Sequence, residues 1–76
     1  MELGWNYLEM DKIDAAIEEF SMARGRSPRA YKGLGAAYQA KGDKANALVN
    51  FQSYLNTLKP DSPEAGEIES VINNLK

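Results

Sequence analysis

A motif that recurs at a fixed interval constrains this 76-residue chain more than any single residue does. Leu3-Gly4-x-x-Tyr7 returns 31 residues later as Leu34-Gly35-x-x-Tyr38, and Ala16-x-x-x-Phe20 returns at the same interval as Ala47-x-x-x-Phe51. Spacings of three and four place residues on one face of a helix, so each copy reads as a pair of helices. Gly4 and Gly35, with Ala16 and Ala47 opposite, let the helices of a pair approach, while Tyr7, Tyr38, Phe20 and Phe51 fill the volume between pairs. A glycine inside a helix costs about 1 kcal/mol relative to alanine, so close packing must offset it at Gly35. At Gly33, which lies outside the repeated motif, packing and a role outside the core are evenly matched.

Apolar periodicity and punctuation divide the chain into five helices over about 1–10, 12–25, 28–41, 44–58 and 63–75. The expected core stripes are Leu3/Tyr7/Met10, Ile13/Ala16/Ile17/Phe20/Ala23, Tyr31/Leu34/Tyr38, Ala47/Leu48/Phe51/Leu55/Leu58 and Ala65/Ile68/Ile72/Leu75. No segment alternates with period two, which argues against strands. Ser27-Pro28 and Ser62-Pro63 each read as an N-cap serine followed by a proline whose missing N–H costs nothing there. Gly42 suits a left-handed helix end, Asp43 an N-cap, and Asp11 the turn in the first half that corresponds to Gly42.

The chain has no cysteine and no histidine. Thiolate and imidazole metal sites, Ser-His and Cys-His couples and disulfides are therefore excluded, and the expectation is a protein that is not an enzyme and needs no cofactor or metal. Asp14 and Glu18 share a helical face but read as a solvated surface. No apolar run approaches the roughly 18 residues of a membrane span, and no signal-peptide pattern is present. The compartment stays open, with the cytoplasm slightly favoured. The net charge of −2 conceals a segregation. Residues 1–23 carry six acids against Lys12, a net of −5; residues 24–44 carry six bases against Asp43, a net of +5; residues 45–76 carry four acids against two lysines, a net of −2. One short basic segment is too little for nucleic acid, whose phosphates call for a broad basic footprint.

The repeated residues resemble the tetratricopeptide repeat, with its Trp-x2-Leu-Gly-x2-Tyr, Ala-x3-Phe and Pro pattern. Tyr31 stands in the aromatic slot of the second copy, and a further step of 34 residues carries Tyr31, Leu34 and Tyr38 onto Ala65, Ile68 and Ile72. The resemblance covers the whole chain and implies an all-α, right-handed solenoid of antiparallel helix pairs in one domain. Residues 1–27 form a first repeat short of its leading residues, 28–61 a second, and 62–76 a capping helix. Against the family pattern, the 31-residue step is short around Gly25–Ser27, Pro60 falls one residue late, and Tyr54 stands where the first copy has Ala23. The first copy lacks its leading aromatic slot, which suggests a piece of a longer array.

The resemblance also implies function: first helices line a concave face that binds a protein or peptide partner. Met1, Trp5 and Leu8 fall at i, i+4 and i+7, away from the Leu3/Tyr7/Met10 stripe, and map in the next copy onto Lys32, Ala36 and Gln39. The expected partner-binding set is Trp5, Leu8, Arg29, Lys32, Ala36, Gln39 and Ala40. In it Trp5 and Leu8 are apolar anchors, Ala36 and Ala40 leave room, and Arg29 and Lys32 contact an acid. An equally weighted alternative has Trp5 merely covering the end of the fold. Arg24 and Arg26 are accounted for by the negative end of the preceding helix, whereas Arg29 and Lys32 open the next one, where cations gain nothing from the dipole. Members with a carboxylate clamp use Lys and Asn on their first helices; Glu2 and Gly33 occupy the Asn places here, so that chemistry is not implied. A self-associating structural segment is the rival reading, with a homo-oligomer formed through an open N-terminal end that leaves Leu3, Met10 and part of Phe20 uncovered.

Overall fold

The computed structural model describes residues 2–76, with Glu2 described by its backbone alone. Five helices follow in order: α1 (Glu2–Glu9), α2 (Ile13–Ala23), α3 (Arg29–Lys41), α4 (Lys44–Asn56) and α5 (Pro63–Leu75). Each packs on the next in sequence, α1 also touches α3, and no strand is present among the described residues. The protein is all-helical.

The helix ends follow from local chemistry. Gly42 sits at φ 88°, and the Asp43 N–H reaches back to the Tyr38 carbonyl at 2.9 Å, satisfying a carbonyl the helix leaves free. The same closure occurs 31 residues earlier, where the Lys12 N–H donates to the Tyr7 carbonyl at 2.8 Å and Asp11 takes the positive φ, 61°. The Asp43 carboxylate accepts from the Asn46 N–H at 3.1 Å and the Ser62 hydroxyl from the Ala65 N–H at 3.2 Å, so both are N-caps as expected. Ser27 is not. Pro28 already has helical angles, the Ser27 carbonyl accepts from the Ala30 N–H at 3.1 Å, and no side chain caps α3. The second and fourth helices also stop sooner than the periodicity suggests, at Ala23 and Asn56, because the residues beyond them turn.

Two apolar clusters make the core. Ala16, Phe20, Ala30 and Leu34 join α2 to α3; Ala47, Phe51, Tyr54, Ile68, Ile72 and Leu75 join α4 to α5. Leu34 therefore lies in a different cluster from Ala47 and Phe51, and half-buried Tyr38, packing against both, links them. The repeated motif acts through ring-on-backbone contact. A Cβ on Gly4 would lie 2.8 Å from the Phe20 ring, and one on Gly35 would lie 2.7 Å from the Phe51 ring. Gly33 belongs to the same packing, since a methyl there would overlap the Phe20 ring as well. Phe20 is thus faced by glycines from two helices and is fully buried, with no part left uncovered.

The first helix is rotated relative to the expected stripe. Leu3 is 46% exposed and Met10 56% exposed, whereas Gly4 is buried and Trp5, Tyr7 and Leu8 pack against the Phe20 cluster. The reason is the glycine: Phe20 can reach the backbone of α1 only at Gly4, and that contact turns Trp5 and Leu8 inward with it.

Candidate functional site

The residues expected to bind a partner distribute over α1 and α3. Trp5 is half-buried, its ring meeting Phe20 edge-on with centroids 5.1 Å apart and planes at 71°, a favourable aromatic geometry. Leu8 is likewise half-buried in that cluster. Their stripe, read from the sequence as lying away from the core stripe of α1, accordingly has a partner inside the fold; Met1, its third member, lies outside the described residues. On α3, Arg29, Gln39 and Ala40 are exposed, and Lys32 and Ala36 are partly exposed. Positions 29, 32, 36, 39 and 40 recur at helical spacing, so they form one face of α3. Its alanines keep that face low, and the two cations stand in its first half.

Lys32 already holds an anion, a contact that the sequence does not reveal. Its Nζ donates to Glu64 Oε2 at 3.2 Å, an ion pair with both side chains about one-third exposed. The Tyr54 hydroxyl beside Glu64 and the Lys32 ammonium hold the Glu64 carboxyl below its ordinary range, and the charge of Arg29 adds to the effect. Burial, followed by the carboxylate of Glu64, pushes the Tyr54 hydroxyl up. Glu64 follows the Ser62-Pro63 cap in the first turn of α5, and from there its side chain meets that of Lys32 on α3. The 34-residue step that sets Tyr31 against Ala65 pairs Ala30, and not Lys32, with Glu64, so it places Glu64 in an equivalent first turn without signalling this contact. Asp14, read as a solvated acid, is exposed and also pairs with Lys41 at 3.0 Å, tying α2 to α3.

A separate open cavity of about 400 Å³ lies between α4 and α5, lined by Leu48, Val49, Gln52, Ser53, Ile72 and Lys76. It shares no residue with the α1/α3 set. Among the described residues no group of three or more acids stands close enough together to hold a metal ion, and no helix is long and apolar enough to cross a membrane. No protein-family model matches the chain, and no curated protein or solved structure matches it significantly.

Proposed function

We propose that this chain is a protein-interaction module of the tetratricopeptide-repeat type. It stacks helix pairs in a right-handed solenoid capped by α5 and holds a partner peptide or helix along α1 and α3. The reading is supported most by one observation: glycine-on-phenylalanine contact and left-handed helix closure both recur at the interval of the repeated motif, at Gly4/Phe20 with Asp11 and at Gly35/Phe51 with Gly42. Equivalent contacts give equivalent helix positions, so α1 and α3 play the same part in successive pairs. The binding face is the α3 stripe of Arg29, Lys32, Ala36, Gln39 and Ala40, together with what half-buried Trp5 and Leu8 leave exposed on α1. Arg29 favours a ligand that carries acids.

The test is a fluorescence titration of the single tryptophan, Trp5, with peptides selected against the protein by display, at two salt concentrations. Ala40→Arg should abolish binding by filling the low part of the face, Arg29→Ala should weaken it mainly at low salt, and Glu18→Gln on α2 should leave it unchanged. Selected peptides that bind Ala40→Arg and Arg29→Ala as tightly as the unmodified chain would overturn the reading. A second reading, self-association, draws on the exposed Leu3 on α1 and the exposed Met10 in the turn just after it. Sedimentation that shows a monomer up to millimolar concentration would remove it.

A further inference from the structure

The cation that a groove along α3 would offer to an acidic ligand is engaged from within the chain. Two features make this engagement more than an incidental surface pair. Glu64 sits on the capping helix, at a place set by the Ser62 N-cap bond, so its carboxylate is delivered to α3 by the fold. Its carboxylate is also partly sheltered at that place: the Lys32 ammonium donates to it at 3.2 Å, and both side chains are only about one-third exposed. Glu64 lies at the N-terminal turn of α5, where a negative charge is also favoured by the helix dipole.

We propose that Glu64 is an internal competitor for the acid-binding position of the α3 face, so that an acidic peptide gains Lys32 only by displacing Glu64. The proposal rests on the peptide-binding reading above and adds to it how that site is regulated. Arg29, which has no ion pair among the described residues, makes the first contact with the ligand, and Lys32 joins after exchange. Binding of acids and the seating of the first turn of α5 are therefore coupled: whatever loosens that turn tightens the site.

The experiment measures the affinity of a fluorescein-labelled amphipathic peptide of Glu, Leu and Ala by anisotropy, against the unmodified chain, Glu64→Gln and Glu67→Gln. Glu67 is exposed on the same helix, so its variant removes the same charge away from Lys32. A partly exposed ion pair is a weak contact, so Glu64→Gln should bind about two- to fivefold more tightly at low salt. The gain should shrink at high salt and disappear in the Lys32→Met background, where there is no cation to release. Circular dichroism checks that each variant remains helical, and Glu64→Ala serves as a second variant with the same expectation. An equal gain in Glu67→Gln, or no gain in Glu64→Gln while Arg29→Ala still weakens binding, overturns the competition and leaves the groove in place. If no variant along α3, Arg29→Ala and Ala40→Arg included, alters binding of the peptide, the groove reading falls and this proposal with it.

Discussion

Gly33→Ala should destabilise the protein even though alanine is the better helix former. The Phe20 ring is fully buried, and a methyl at position 33 would overlap three of its atoms. The ring has little room to retreat, since it also faces Gly4, where a Cβ would lie 2.8 Å away, and meets Trp5 edge-on at 5.1 Å. Overpacking of a tight core costs about 1–3 kcal/mol, and the overlap here puts the cost at the upper end. Helix propensity returns about 1 kcal/mol. The net loss is about 2 kcal/mol, which for a domain of this size lowers Tm by roughly 8–16 °C. Urea denaturation followed by circular dichroism gives the free energy, and an unchanged slope shows that the unfolded state is the same. Gly66→Ala is the matched control. It makes the identical change in α5, where a Cβ would meet nothing within 4 Å, so it should add up to about 1 kcal/mol. Replacing Phe20 by leucine in the Gly33→Ala background should recover part of the loss, because the two sites are in contact and their effects do not add. A Gly33→Ala protein as stable as the unmodified chain would refute the packing of Phe20 between two glycine backbones.

Other substitutions probe the helix ends. Ser62→Ala removes a real N-cap and should cost about 1 kcal/mol, whereas Ser27→Ala, whose hydroxyl caps nothing, should change chemical stability little. Asp11→Gly relieves a non-glycine residue at φ 61° and removes a negative charge from the C-terminal end of α1, so thermal melts should show a gain of up to about 1 kcal/mol. The depressed ionisation of Glu64 carries a definite pH dependence. A carboxyl held lower in the folded than in the unfolded chain contributes stability that is fully present above about 4.3, the unfolded value for Glu. That contribution is lost as pH falls through the lower folded value, so melts of the unmodified chain and Glu64→Gln should converge on acidification. A difference between them that grows toward acid pH would contradict the sign.

Much of the secondary structure was legible because its determinants are local. Five helices follow from apolar spacing, and Gly42, Asp43, Asp11 and Ser62-Pro63 mark ends whose geometry depends on a few neighbouring residues. Ser27-Pro28 carries the same dipeptide as Ser62-Pro63 but not the same cap, because Pro28 is already helical and the chain turns directly from α2 into α3. The recurring motif and close packing at Gly35 were legible too, but not that the neighbour of Gly35 is the Phe51 ring. The rotation of α1 was not. Periodicity gives that helix two apolar faces, Leu3/Tyr7/Met10 and Trp5/Leu8, and nothing local chooses between them; the choice is made by a ring on α2 that can approach the backbone only at Gly4. The same holds for the candidate site. Sequence shows that Lys32 is a cation on the face of α3 shared by Ala36 and Gln39, but whether it stands free depends on where α5 lands. The ion pair with Glu64, 32 residues away in the chain, exists only once α5 has packed its Ala65, Ile68, Ile72 and Leu75 into the core.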